Sequence, residues 1–398
     1  MKLGILREGK NPPDNRVALS PHQCKVVQRK YPDLELVIQP SATRCFTDQE
    51  YVEAGQILQE DLSDCDVLVG IKEVPIANLI PNKTYFFFSH TKKKQPHNKK
   101  LLQAIIANKI RLIDYECLTY GDRQRILGFG FFAGIVGAHN GLLTYGKKTG
   151  SFNLPPVHRF SDFREVIRQY FEVKLPNIKI VTTGNGRVST GVVETMNMFD
   201  IKRVSSDEFL KKNFEYPVYC ELTAEQLYKH KDTHIYHRED FRKHAYNYYC
   251  DFKAYYQSAD LFLNGVYWDK NIAPFFTPEE IATADFKIKV IADITCDVKG
   301  SIPINYEATT IANPTYGVDR KTLQQTAPFL PETVDVMAVD NLPNELPRDA
   351  SDFFGVQFTK MILPELFVSE SAILYRATIA NEGALTEPFT YLQDYVQD

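Results

Sequence analysis

Lys72, in Gly70-Ile71-Lys72-Glu73-Val74-Pro75, and His90, in Phe86-Phe87-Phe88-Ser89-His90-Thr91, each end an apolar run that reads as a buried strand. A cation at such a place points to a ligand crevice more than to bulk solvent. A lysine and a histidine near one another make an acid and base pair that works close to neutral pH, because each charge depresses the other group. Singly, either residue is more often a solvated strand end. Glu116 follows a third apolar run, Arg111-Leu112-Ile113-Asp114-Tyr115, while Arg16 lies just beyond the first strand and Arg125 ahead of a Gly-rich stretch. Two guanidinium forks and one carboxylate around Lys72 and His90 suit a substrate with carboxylates and an amine. The plainer reading of either arginine alone is a surface salt bridge.

A second set of residues has a different chemistry. Gly184-Asn185-Gly186-Arg187-Val188-Ser189 follows the run Ile178 to Thr182 and opens a helix expected over Val192 to Phe199. Such a turn lets backbone amides approach a pyrophosphate at the positive helix end. The third position, Ser189, is small enough for close helix and strand packing. In sites that hold an unphosphorylated ribose an acid follows about 20 residues later. Here that place reads Ile201-Lys202-Arg203-Val204-Ser205-Ser206-Asp207. Ser205 or Ser206 occupies the expected strand end, Lys202 and Arg203 suit a 2′-phosphate, and Asp207 suits a ribose diol, so NAD and NADP both fit.

The elements that position these residues alternate strand and helix. Strands are expected at Lys2 to Leu6, Leu34 to Ile38, Asp66 to Ile71, Thr84 to Ser89, Ile110 to Ile113 and Lys289 to Ile294, with helices at Pro21 to Lys30 and Asn98 to Asn108. This alternation predicts an α/β fold of two Rossmann-like, doubly wound domains with mostly parallel sheets, separated by a cofactor and substrate cleft. Residues 1–136 form the expected substrate domain, completed by 345–398, and residues 137–344 the dinucleotide domain. The stretch Gly128 to Gly137 is the expected hinge. The segment Tyr216 to Trp268, rich in Tyr, His and charge, reads either as a surface excursion, a dimer contact or a wall of the cofactor site.

Composition narrows the partners. With 46 Lys and Arg against 50 Asp and Glu the net charge is −4, so no basic field draws the chain to nucleic acid or anionic lipid. No apolar stretch reaches the length of a membrane span, and the N-terminal residues read as a strand, which predicts a cytoplasmic protein. The basic run Lys92 to Lys100 lacks interleaved aromatics and reads as a solvated helix start. Seven scattered cysteines, with no paired spacing, read as reduced thiols without a metal site. Monomer and homo-oligomer both fit.

Together these residues resemble the lysine-forming saccharopine dehydrogenases, also called lysine-ketoglutarate reductases, within the alanine dehydrogenase superfamily. The likeness runs through Ile38-Gln39-Pro40-Ser41, Phe87-Phe88-Ser89-His90-Thr91, Arg111 to Glu116, Phe129 to Gly134, Asn264-Gly265-Val266-Tyr267-Trp268, Ala292 to Asp297 and Asp340 to Pro347, nearly the whole chain. The resemblance implies reversible reductive amination of 2-oxoglutarate by lysine to saccharopine, with NAD or NADP. It implies Lys72 and His90 as catalytic, Arg16, Glu116 and Arg125 as substrate-binding, and Gly184, Gly186, Arg187, Val188, Ser205, Asp297 and Leu342 as cofactor-binding. The alternatives are an alanine dehydrogenase or other opine or amino-acid dehydrogenase, and a nicotinamide-binding sensor without catalysis.

Overall fold

Short β-branched runs form strands buried on both faces, and the amphipathic stretches between them form the covering helices. The computed structural model describes residues 1–122 and 124–397. The chain divides into two compact units, residues 1–129 with 347–398, and residues 130–346. The alternation predicted from sequence is therefore realised as two separate α/β sheets, each of eight strands and mostly parallel.

In the first unit β1 (Lys2–Ile5), β2 (Glu35–Ile38), β3 (Ile57–Leu58), β4 (Val67–Val69), β5 (Thr84–Phe87) and β6 (Arg111–Asp114) run parallel in the order β6-β5-β4-β1-β2-β3. An antiparallel pair, Thr378–Asn381 and Ala384–Leu385, closes the β6 edge. Helix α1 (Pro21–Lys30) starts where predicted, because Ser20 and Gln23 form a capping box and Pro21 fits the first turn. Helix α2 (Lys99–Ala107) buries Leu101, Leu102 and Ile105. The chain passes from β1 to β2 on one side and later to β4 on the other. The sheet's switch point, where ligands of such folds bind, thus lies at the carboxyl ends of β1 and β4.

The second unit opens with α3 (Gly130–Thr149), and the stretch expected to be a hinge is the start of this helix. Its glycines serve close approach. A methyl group on Gly134 would lie 2.0 Å from the Val188 carbonyl oxygen, and one on Gly141 would lie 2.6 Å from Leu263. Helix α4 (Arg187–Met198) packs along this glycine face and starts five residues earlier than expected, directly after Gly186. The sheet contains β7 (Lys179–Thr183), β8 (Lys202–Arg203), β9 (Val218–Leu222), and, after a small hairpin of β10 (Tyr228–His230) and β11 (Tyr248–Cys250), β12 (Leu261–Asn264) and β13 (Val290–Asp293). The antiparallel strands β14 (Thr315–Asp319) and β15 (Gln325–Thr326) close the edge beside β16 (Thr333–Met337), and the order is β15-β14-β16-β13-β12-β7-β9-β8. Here the switch point lies between β7 and β12. Among the described residues no helix is long and apolar enough to cross a membrane.

Candidate active site and dinucleotide site

Parallel pairing of β6, β5, β4 and β1 brings four carboxyl ends side by side, and three of them, β6, β5 and β4, are followed by the Glu116, His90 and Lys72 singled out in the sequence. Lys72 follows β4. The backbone N–H groups of Ile71 and Lys72 donate to the two carboxylate oxygens of Glu8, beyond the end of β1, at 2.7 and 2.8 Å. That clamp fixes the peptide from which the lysine side chain springs. Burial, with the positive charges of Arg16 and Lys10, lowers the Lys72 ammonium to about 8. Burial also pushes the Glu8 carboxyl up to about 8, reinforced by the nearby Asp14.

His90 follows β5 with φ of 51°, a left-handed conformation that a side chain beyond Cβ adopts only when its surroundings impose it. Its Nδ1 lies 2.6 Å from Glu73 Oε1, and its ring stacks on Phe88. Burial works against the Glu73 charge, yet the hydrogen bond and charge of His90 hold its carboxyl down to about 2. The loop is anchored from below by Asp114, at the end of β6, whose carboxylate accepts from the Ser89 backbone N–H at 3.0 Å and from the Ser89 hydroxyl. The other Asp114 oxygen accepts from the Glu116 backbone N–H at 2.7 Å. One buried carboxylate therefore sets both the His90 and the Glu116 loops.

The two arginines each meet a carboxylate of this chain. Arg16 is 3% exposed and grips Asp14 through Nε at 2.9 Å and Nη2 at 2.5 Å, with its guanidinium 4.2 Å above the Phe129 ring. Arg125 Nη2 donates to Glu116 Oε1 at 2.9 Å near the surface. Glu8, Glu73, Asp14 and Asp114 were not singled out in the sequence; each lies within two residues of a residue that was, or pairs with one across the strand ends.

In the second unit Gly184 ends β7 with φ of 107°, and a methyl group there would lie 2.8 Å from the Gly265 carbonyl oxygen, so only glycine fits. Gly186 caps α4, and a methyl group on it would meet nothing within 4 Å. Arg187 and Val188 form the first turn of that helix. An open cradle bounded by glycines at the amino end of a 12-residue helix fits a pyrophosphate. The strand ends around it are locked by uncharged groups and one acid. Thr183 Oγ1 donates to Asn264 Oδ1 at 2.8 Å, and Asn264 Nδ2 donates to Asp293 Oδ1 at 2.9 Å and Ser301 Oγ at 2.8 Å.

The expected ribose position does not sit on the strand next to β7. Residues 202–203 form the edge strand β8, and β9 lies between β8 and β7. Ser205 caps the helix Ser206–Lys211, with its Oγ accepting from the Glu208 N–H at 3.2 Å and donating to the Glu208 carboxylate at 3.0 Å. The carboxylate beside the Gly-rich turn is Glu221 on β9, which accepts from Ser189 Oγ at 2.9 Å and pairs with Arg203 at 2.8 Å. Asp297 lies exposed in the loop after β13, and Leu342 is buried at the start of the 3-10 turn Leu342–Glu345.

Comparison with known proteins agrees with this arrangement. Residues 4–136 match the alanine dehydrogenase/PNT N-terminal domain. The mitochondrial alpha-aminoadipic semialdehyde synthase of Rattus norvegicus is 28% identical over 98% of this chain, and the Arabidopsis thaliana protein of that name is also 28% identical over 98%. The chain spans about half the length of these relatives, 47% and 41%. The saccharopine dehydrogenase [NAD(+), L-lysine-forming] of Yarrowia lipolytica is 26% identical, and the alignment covers 92% of this chain and 91% of that one. The chain is thus similar over nearly its whole length to lysine-forming saccharopine dehydrogenases. The fold of this chain extends to more distant structures: an L-alanine dehydrogenase superposes with a TM-score of 0.68 at 16% identity, covering 99% of each chain. A transhydrogenase from Sinorhizobium meliloti gives 0.62 at 13% identity over 97% of this chain and 100% of its own. Both sheets and their mostly parallel order belong to that alanine dehydrogenase-like fold.

Proposed function

We propose that the chain catalyses the reversible, NAD-dependent reductive amination of 2-oxoglutarate by L-lysine to saccharopine, in the cytoplasm. The observation that carries this reading is the joint occurrence, at one set of strand ends, of a lysine lowered to about 8 and a histidine held by a carboxylate. Similarity to the lysine-forming saccharopine dehydrogenase of Yarrowia lipolytica supports the substrate class, and the seven free thiols suit a reducing compartment.

The chemistry assigns each side chain a task. Condensation needs a neutral amine as nucleophile and a proton for the carbonyl oxygen that leaves as water. Lys72 Nζ, neutral in a useful fraction near pH 8, takes the proton from the substrate ammonium and returns it to the secondary amine. The His90 imidazole, oriented by Glu73, delivers the proton to the carbonyl oxygen and recovers it in hydrolysis. Arg125 turns from Glu116 to a substrate carboxylate, and the released Glu116 faces the substrate amine. Arg16 supplies positive charge for a second carboxylate and, with burial, keeps Lys72 easily deprotonated.

The dinucleotide reading rests on the glycine cradle at α4, with Gly184, Gly186, Arg187 and Val188 around the pyrophosphate, Leu342 as apolar support and Asp297 toward the nicotinamide. When bound, the nicotinamide ring supplies or accepts the hydride. Glu221 favours NAD over NADP, because a carboxylate accepts from a ribose diol and repels a 2′-phosphate. Ser205, already committed to its helix cap, is set aside in favour of Glu221.

The test is absorbance at 340 nm with NADH or NADPH, 2-oxoglutarate and lysine, with pyruvate and ammonia substituted in parallel. The expected result is NADH oxidation that needs both lysine and 2-oxoglutarate. Turnover with ammonia and pyruvate alone would move the chain to the alanine dehydrogenases, and binding without turnover on any pair would mark a sensor.

A further inference from the structure

Two carboxylates hold the His90 turn from one side, Glu73 beside the imidazole and Asp114 beneath Ser89. The chain beyond His90 needs support of its own, because residues 91–98 pass through a turn and the 3-10 turn Pro96–Asn98 before α2 begins at Lys99. Lys94 is left-handed like His90, with φ of 56°, and its N–H donates to the Thr91 carbonyl at 2.9 Å. Neither residue is glycine, so their conformations persist only where the surroundings impose them. At the far end of the loop the buried Asn98 reaches back to Glu73 Oε1, the oxygen that meets His90, at 3.5 Å.

The remaining support comes from the segment Glu387–Gln397, a 3-10 turn to Leu392 followed by a short helix. Phe389 and Leu392 are buried in the core of the first unit and fix where the segment lies. From that anchor three side chains face the loop. Tyr391 donates its hydroxyl to the Lys92 carbonyl at 3.0 Å, and Tyr395 donates its own to the Gln95 carbonyl. Both carboxylate oxygens of Asp394 accept from Lys94 Nζ at 2.6 Å. Gln103 on α2 donates to the Val396 carbonyl at 2.9 Å, which ties the segment to the helix that ends the loop. The basic run that contains Lys94 is therefore gripped at three places by residues about 300 positions further along the chain.

We propose that Tyr391, Asp394 and Tyr395 are positioning residues for His90: by gripping the loop at Lys92, Lys94 and Gln95 they hold the imidazole within reach of the substrate carbonyl oxygen. The proposal rests on the acid-base role given to His90 above and adds to it a segment remote in sequence from every strand end of the site. Glu73 sets the direction of the ring, whereas the grip on the loop sets where the His90 backbone stands. A proton donor works only at hydrogen-bond distance from its acceptor, so a loop free to shift by about 1 Å loses rate while the fold and the dinucleotide cradle stay intact.

The test removes two hydroxyls and nothing else. The Tyr391→Phe, Tyr395→Phe chain keeps both rings and their packing, and it is compared with the wild type in hydrogen exchange over residues 88–98, in lysine- and 2-oxoglutarate-dependent turnover and in NADH affinity. We expect faster exchange in the loop, kcat lower by about tenfold, the worth of two hydrogen bonds, and unchanged NADH affinity. The same pair of substitutions in a His90→Gln chain should lower turnover no further, because the residue they position is gone. A role in folding alone would leave kcat of the folded variant untouched. Unchanged turnover, or a loss of the same size in the wild-type and His90→Gln backgrounds, overturns the proposal and leaves the proposed reaction standing. A wild-type chain that does not turn over with lysine and 2-oxoglutarate removes the acid-base reading, and this proposal falls with it.

Discussion

The two sheets have the same strand number and the same antiparallel edge pair, yet their switch points are furnished in opposite ways. At the first, Glu8, Lys72, Glu73, His90, Glu116 and Arg125 crowd the strand ends, with Glu73 paired to His90 and Glu116 to Arg125. At the second, Gly184, Gly186 and Gly265 leave backbone exposed for close approach, and Thr183, Asn264 and Asp293 lock the strands beneath. On the function proposed above, one scaffold serves two physical tasks. Proton transfer needs side chains with shifted pKa values, whereas holding a pyrophosphate needs amides and the absence of side chains. The comparison predicts that damage at the first switch point removes turnover and spares dinucleotide affinity, and that damage at the second does the reverse.

The largest effect is expected for Lys72→Met, a loss of turnover of about 10²- to 10⁴-fold, the usual worth of a positioned acid or base. The base acts when neutral, so the wild-type rate should rise with pH through about 8, and the variant's profile should lose that inflection. Steady-state rates between pH 6 and 10 check both. Next comes Gly134→Val, whose side chain meets the Val188 carbonyl and forces α3 from α4. It should lower stability by about 1–3 kcal/mol or more and weaken NADH, readable by thermal melting and titration.

These elements show what was legible in the chain. Strands such as Val67–Val69 and Thr84–Phe87 were legible because parallel, doubly covered strands read as unbroken apolar runs, and α1 because its cap is local. Lys72, His90 and Glu116 could be placed at strand ends for the same reason. Glu221 could not. The 20-residue rule assumes that the next strand in the chain pairs with β7, but β8 moves to the edge and the following strand takes its place. The close packing of the α3 glycines was not read from the sequence because composition alone does not separate flexibility from close packing. The spacing of Gly130, Gly134, Gly137 and Gly141 along one helix face is the signal that could have told them apart. The seating of the Arg16 guanidinium on the Phe129 ring depends on a tertiary contact that no local pattern encodes.

Smaller changes sharpen the contrast. Glu73 has a carboxyl lowered to about 2, so its stabilising contribution is full above the ordinary value near 4.5 and disappears as pH falls to 2. Glu73→Gln should therefore cost on the order of 2 kcal/mol at pH 6 and almost nothing near pH 2, measured by urea unfolding at each pH. Ser205→Ala should cost about 1 kcal/mol through its lost helix cap while leaving NADH affinity unchanged. A parallel loss of affinity would return Ser205 to the cofactor site.

The most direct test is to measure NADH affinity and lysine-dependent turnover on one protein, the Lys72→Met, His90→Gln double variant, beside the wild type. The account predicts turnover lost by at least about 10²-fold with NADH affinity within about twofold of wild type. Turnover that persists, or turnover and affinity lost together in a folded variant, would contradict the division of labour between the two switch points.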